Sequence, residues 1–107
     1  MAFSEDSVAG SFNSTNNVTI VAGDANGTKL VKCVTIHNLD NTNHAVIIEF
    51  VKSSVAYRMF NVTLAPGDTL VQDFVLALVN ANYTLRARLG EAATTQPQFV
   101  ATLAQVS

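Results

Sequence analysis

Apolar and polar residues alternate with a period of two along most of this chain. The clearest segment is 83–89, YTLRARL, in which the odd positions are apolar and the even positions carry Thr or Arg. Such alternation is typical of a β-strand with one buried face and one solvated face. No window has the spacing of a long amphipathic helix, and the helix-tolerant stretch 74–78, FVLAL, is too short to be stable alone. The pattern therefore predicts an all-β chain.

Strand-like runs follow one another at intervals of about ten residues, each bounded by turn residues. They are 17–22, 29–37, 44–51, 55–64, 69–78, 83–89 and 99–106. Pro66 and Gly67 fit the central positions of a type II turn, because Pro presets φ and Gly accepts a positive φ. The turn residues 38–43 predict a hairpin between the second and third runs. The runs together predict an antiparallel β-sandwich, jelly-roll or Ig-like, of about seven strands.

The length of 107 residues fits one domain with one core. The predicted sandwich domain covers 17–107, and 1–16 is predicted to be an extended N-terminal arm. The arm holds Phe3, Val8 and Phe12 among small polar residues, a composition that cannot fold alone. We therefore expect a neighbouring subunit to hold the arm.

The inward positions of the strand-like runs predict the hydrophobic core. The expected core residues are Val18, Ile20, Val34, Ile36, Val46, Ile48, Phe50, Phe60, Val62, Leu64, Leu70, Phe74, Leu85, Leu89, Phe99 and Leu103. Runs 44–51 and 69–78 are apolar on both faces, so side chains are left over once one face is assigned to the core. With the arm, these surplus positions predict the partner-binding residues, which are Phe3, Val8, Phe12, Ile47 and Val75.

The composition favours a subunit of an assembly. Only 13% of the residues are charged, about half the usual share, and Asn and Thr supply the missing polarity. Neutral polar groups are less costly to bury against a partner than charged ones. The net charge is −2 and the basic residues are scattered, which argues against direct binding of nucleic acid. Arg86 and Arg88 share a strand face by their spacing, and we interpret that face as solvated.

Targeting signals are not evident in the sequence. The N-terminal residues have no basic stretch followed by an apolar core, so we expect no signal peptide. No stretch reaches the ~18 consecutive apolar residues of a membrane span, so we expect no membrane partner.

Candidate chemistry is sparse. His37 and His44 flank the 38–43 turn with Asp40 between them, and the three side chains converge if the strands pair tightly; turn chemistry explains the segment better than a metal site. The sequence has no glycine-rich phosphate loop and no Ser elbow, and its carboxylates are spread along the chain. Cys33, the only cysteine, is expected to be a small buried hydrophobe. We therefore expect no enzyme, no catalytic residue, no metal and no cofactor.

Four segments carry a resemblance to a known class of proteins. They read VTIHNLDNTNHAVIIEF, LAPGDTLVQDFVLAL, YTLRARL and the terminal FVATLAQVS. This succession of a strand with an Asn-x-Asp turn, a further strand, an Ala-Pro-Gly-Asp-Thr turn and a closing strand resembles small tailed-bacteriophage virion structural proteins. The pattern is most like capsid decoration, or cement, proteins, and it covers residues 30–107.

The resemblance implies a structural role. Decoration proteins of this kind bind the outer capsid surface, often as homotrimers, and stabilise the shell by non-covalent packing. The implied partners are the major capsid protein and further copies of the chain, and the implied location is the virion surface after synthesis in the host cytoplasm. The resemblance implies neither catalytic residues nor a cofactor.

Two other kinds of protein fit the same pattern. Another virion component, such as a head-tail connector, a tail protein or a fibre-base protein, predicts ring or axial symmetry. An Ig-like receptor- or glycan-binding module predicts a monomer that binds a small ligand.

Overall fold

The computed structural model describes residues 3–12 and 15–106 and confirms an all-β sandwich. The strands are β1 (Phe3–Ser11), β2 (Val18–Ala22), β3 (Thr28–His37), β4 (His44–Lys52), β5 (Val55–Leu64), β6 (Thr69–Leu78), β7 (Tyr83–Leu89) and β8 (Gln98–Val106). Each of β2 to β8 begins and ends within one residue of the run predicted from the sequence. Among the described residues, no helix is long and apolar enough to cross a membrane.

The strands form two four-stranded antiparallel sheets. Sheet I has the order β1-β8-β3-β6, and sheet II has the order β2-β7-β4-β5. In both sheets the first half of the chain pairs with the second half: β1 with β8, β3 with β6, β2 with β7, and β4 with β5. The chain is thus one long nested hairpin rolled into two layers, which is the jelly-roll arrangement.

The hairpin predicted across residues 38–43 is wrong. β3 pairs with β6 and β8 in sheet I, whereas β4 pairs with β5 and β7 in sheet II. The 38–43 segment therefore crosses from one layer to the other. The tight hairpin joins β4 to β5 instead, through Ser53 and Ser54, whose φ angles of 50° and 69° are those of a two-residue primed turn.

The type II turn between β5 and β6 is confirmed. Gly67 has a φ of 82°, and the amide of Asp68 donates a 3.0 Å hydrogen bond to the carbonyl of Ala65. Pro66 and Gly67 therefore occupy the positions that their backbone preferences favour. This turn carries the chain from sheet II back to sheet I.

Most of the predicted arm that the structure describes is a strand of the sandwich. Residues 3–11 form β1, which pairs with β8 from Phe3↔Val106 to Ser11↔Gln98. Phe12 follows and is fully buried, with its ring 5.2 Å from that of Phe99. The sequence pattern missed β1 because an edge strand that buries few large side chains shows little alternation.

All of the predicted core residues are buried or pack against the core. Further buried apolar residues of the core were not predicted; they are Phe12, Val21, Val31, Leu78, Ala87, Ala101 and Ala104. Val21 is buried next to Ile20 because the pairing of β2 with β7 shifts register between Thr19 and Val21. Such a bulge turns two consecutive side chains toward the same face, which strict alternation does not anticipate.

Candidate functional site

A buried carboxylate joins the two loops at one end of the sandwich. Asp40, 5% exposed, accepts a 2.6 Å hydrogen bond from Nε2 of His44 and bonds from the backbone amides of Asn41, Thr94 and Thr95 at 2.9, 3.2 and 3.3 Å. The bond from His44, followed by the amide bonds, holds the pKa of the Asp40 carboxyl well below its usual range. Asp40 therefore links the 38–43 loop to the 90–97 loop by hydrogen bonds.

His37 does not join this cluster. Its Nδ1 forms a 2.7 Å hydrogen bond with Oγ1 of Thr69 on the exposed side of sheet I, whereas the His44 side chain is buried in the other layer. Thr42 Oγ1 lies 3.3 Å from the same nitrogen of His44 that contacts Asp40. In a Ser-His-Asp triad, the histidine contacts its nucleophile through one ring nitrogen and its carboxylate through the other. Thr42, His44 and Asp40 do not have this arrangement, because both contacts use Nε2 of His44. Within the described segments, no group of three or more His, Cys, Asp or Glu residues is placed to hold a metal ion.

The outer face of sheet I carries exposed valines. Val71, Val75 and Val100 are 55, 77 and 46% exposed. Thr35 is the Cα partner of both Val71 and Val100, so Val71, Thr35 and Val100 form one row across the sheet. Val75 lies further along β6 on the same outward side. We call Thr35, Val71, Asp73, Val75 and Val100 the valine face. A group of exposed apolar side chains on one face of a sheet is typical of a surface that contacts a partner.

Asp73 is the charged residue of the valine face. It lies opposite Cys33 in the register of β3 and β6. Burial raises the pKa of the Cys33 thiol, and the hydrogen bond from that thiol to Asp73 raises it further. Cys33 therefore stays a thiol at neutral pH, and it lies half-buried on the outer face, not in the core as expected from the sequence.

The outer face of sheet II carries all three arginines of the sequence. Oε1 of Glu49, a residue that is 7% exposed, accepts hydrogen bonds from Arg86 Nε at 3.1 Å and Arg88 Nη1 at 2.8 Å. Arg58 is the Cα partner of Glu49 across β4 and β5. We call Ile47, Glu49, Arg58, Arg86 and Arg88 the arginine face. Three guanidinium groups against one carboxylate leave two positive charges on this face.

The five predicted partner-binding residues do not share one surface. Val75 is the most exposed large apolar residue of the described segments, and Ile47 is half-buried on the opposite layer. Val8 packs partly against the core, and Phe12 lies fully inside it, so Phe12 is a core residue of its own chain. The backbone of Phe3 pairs in β1, while its side chain lies outside the described part of the molecule.

Sequence reasoning also missed parts of the two faces. Val71 and Val100 lie in predicted strands, but their place in one row follows from the pairing of β3 with both β6 and β8. Arg86 and Arg88 were expected to share a face, and they do. Arg58 joins them through the β4–β5 register, which alternation along a single strand does not reveal.

Comparison with known proteins shows the fold. No protein-family model matches the chain, and no curated protein matches it by sequence. A chain of the infectious bursal disease virus particle matches 96% of this chain with a TM-score of 0.59 and 10% identity. A Bacillus endospore appendage protein, from disulfide-linked pili, matches 96% with a TM-score of 0.55 and 15% identity. The Gx strain of infectious bursal disease virus gives a TM-score of 0.53 at 8% identity over 97% of this chain.

The shares of the matched proteins differ. This chain spans 30% and 32% of the two viral chains but 85% of the appendage chain. At these identities the similarity is one of fold alone. The sandwich is therefore an architecture found both as a part of viral particle proteins and as nearly a whole appendage subunit.

Proposed function

We propose that this chain is a structural subunit of a viral particle and acts by non-covalent packing. The observation that carries the proposal is the valine face, with Val75 77% exposed on the outer side of a jelly-roll sheet. The fold adds support by analogy, since jelly rolls are frequent in capsids and two similar structures are viral particle chains. No catalytic step and no cofactor belongs to the proposed role.

The more specific form of the proposal is a capsid decoration, or cement, protein. Its partners are the major capsid protein and further copies of itself, arranged as trimers on the outer surface of a bacteriophage shell. Apolar burial stabilises such contacts by about 25 cal/mol per Å2. Many repeated copies then turn modest single contacts into a stable shell through multivalency.

The test is incorporation of variants into particles. Val75→Asp places a charge on the valine face, and we expect particle occupancy to fall about tenfold or more, because an unpaired buried carboxylate costs several kcal/mol. Purified virus particles are incubated with the protein, sedimented, and analysed for bound chain. Val55→Asp is the matched control, since Val55 is 51% exposed but lies at the β4–β5 turn. Equal occupancy of the two variants contradicts the proposal.

A second candidate is a subunit of a filamentous appendage. It is favoured by the extent of the match to the Bacillus endospore appendage chain. The match covers 85% of that chain and 96% of this one, so the two chains are of similar size. Electron microscopy of the assembled protein separates the two candidates. Filaments of a protein that binds no shell favour the appendage, and density on a closed shell favours the virion protein.

A further inference from the structure

The edges of the two sheets are poor surfaces for association. The edge strands are β1 and β6 in sheet I and β2 and β5 in sheet II. Pairing with β2, β5 or β6 shifts register within the strand, and β1 carries Glu5 and Asp6. Bulges and charges on edge strands prevent edge-to-edge pairing. The outer faces are therefore the better candidates for contact between molecules.

Asp73 sets a condition on whatever covers the valine face. It lies between Val71 and Val75 on the outward side of β6, and among the described residues no ion pair involves it. A purely apolar partner would bury the Asp73 charge without a cation and with only the Cys33 thiol, a weak donor, beside it, which costs several kcal/mol. The partner must therefore bring a cation to this position.

The arginine face meets this condition. It combines the half-buried Ile47 with an excess of two positive charges, and the exposed Arg58 forms no ion pair within the described residues. A guanidinium group binds a carboxylate through two parallel hydrogen bonds. The strands of the other layer carry three carboxylates and two lysines, which gives that layer a net charge of −1; they are Glu5, Asp6, Asp73, Lys29 and Lys32. Glu5 and Lys32 form a pair at 3.3 Å.

We propose that the valine face of one copy docks onto the arginine face of a second copy, with Asp73 of the first paired with Arg58 of the second. The two residues lie on opposite layers, so they do not pair within one chain. After the first contact, the first copy still has a free arginine face and the second copy a free valine face. Association is then heterologous and continues into a ring or a filament. This inference rests on the proposed function, because it names a further copy as the partner on the valine face.

The first test is the size of the purified full-length chain in solution. Sedimentation velocity is measured over a wide range of protein concentration at low and at high salt. We expect species larger than a dimer that become weaker as salt screens the pair between Asp73 and Arg58. A monomer at every concentration, or a dimer that does not grow, overturns the inference.

The second test reverses the two charges. Asp73→Arg and Arg58→Asp are each expected to weaken self-association about tenfold or more, because each leaves like charges facing one another. Glu91→Arg and Lys52→Asp make the same changes of charge at exposed positions away from both faces and are expected to leave it unchanged. If Arg58→Asp has no effect on self-association, the inference fails.

The third test restores the pair. A chain with both Asp73→Arg and Arg58→Asp is expected to regain self-association, and so is an equal mixture of the two single variants. Circular dichroism and a thermal melt show whether each variant folds, and the salt dependence of the unaltered protein tests the inference independently. Failure of the combined variant to associate while folded overturns it.

Particle binding separates this inference from the proposed function. If the chain occupies particles but stays monomeric in solution and in variant tests, the inference fails and the structural role stands. If the chain self-associates as described but never binds a particle, the virion role fails and the contact between copies stands.

Discussion

Single residues connect parts of this fold that are far apart in the sequence. Asp40 binds two backbone amides of the 90–97 loop, more than fifty positions later in the chain. Asn38, fully buried, donates from Nδ2 to the carbonyls of Thr42 and Leu64 at 3.0 Å each and accepts from the amide of Asp40 at 3.0 Å. Buried polar groups with all partners present specify one arrangement of the loops. These two residues thus fix where the chain crosses between the layers.

The Asp40 carboxylate makes the stability of the fold depend on pH in a defined window. The pKa of Asp40 in the folded state is lowered from the ordinary 3.8. The carboxylate therefore stabilises the fold fully above about pH 3.8, and this stabilisation is lost as the pH falls through the pKa of the folded state. We predict that Asp40→Asn lowers the free energy of unfolding at neutral pH, and that the difference in this free energy from the unaltered protein becomes smaller in acid. Urea denaturation at a series of pH values measures both curves.

Glu91→Gln is the control for this prediction, since Glu91 is an exposed carboxylate in the neighbouring loop. Its stability is expected to follow that of the unaltered protein at every pH. A curve for Asp40→Asn that stays parallel to that of the unaltered protein into acid contradicts the role assigned to Asp40.

At the scale of the element, β1 is the least expected strand. It pairs with β8 along its whole length, and the residue that follows it, Phe12, is anchored by its ring against Phe99 and by a 2.9 Å bond from its amide to the carbonyl of Pro97. Gly10 leaves room for this packing, because a Cβ at that position would lie 2.7 Å from the Phe99 ring. The first strand is therefore held by aromatic packing at its C-terminal end.

Phe12→Ala tests this anchor. We predict a loss of about 3 to 5 kcal/mol in the free energy of unfolding, as for other fully buried phenylalanines, measured by chemical denaturation. Tyr57→Ala is the comparison, because Tyr57 is 54% exposed and its ring lies 6.4 Å from that of Phe50. A smaller loss for Phe12→Ala than for Tyr57→Ala would show that β1 is not part of the cooperative core.

The strands themselves were predictable, but their partners were not. Segment 83–89 alternates without interruption and forms β7, since one of its faces is buried and the other is solvated. Val31 and Val34 break the alternation in β3, yet both are fully buried, because the register shifts between Val31 and Cys33. The sequence shows that a strand exists, but bulges and the choice of neighbour depend on the whole sandwich.

The same reasoning explains the candidate site. Val75 was predicted as a surplus apolar position, because the two-faced run 69–78 exceeds what one core face takes up. The three arginines become one face only when β5 is placed beside β4 and β4 beside β7. Surfaces that are assembled across strands depend on topology, which alternation along one strand does not encode.

At the scale of the whole molecule, the fold depends on contacts between distant parts of the chain. β1 and β8 pair although they are the first and last strands, and β2 and β7 pair inside them. Nested pairing of this kind requires the closure of long loops before the contacts form. Folding rates fall as the mean sequence separation of contacts rises.

We predict that the chain refolds in milliseconds to seconds, as sandwiches dominated by non-local pairing do. Stopped-flow circular dichroism after dilution from denaturant measures the rate. A small helical bundle of similar stability, refolded under the same conditions, is the comparison and is expected to fold faster. Refolding of this chain within microseconds contradicts the prediction.

The pairing of Phe3 with Val106 lies at the open end of the nested hairpin, and the Ser53–Ser54 turn lies at its closed end. A short linker from the end of β8 to the start of β1, with a new opening at Ser53 and Ser54, would reorder the strands in sequence without unpairing any of them. A circularly permuted chain is therefore expected to form the same two sheets, with its ends at the former Ser53–Ser54 turn. Cargo fused to the permuted ends would then leave the molecule from the β4–β5 side.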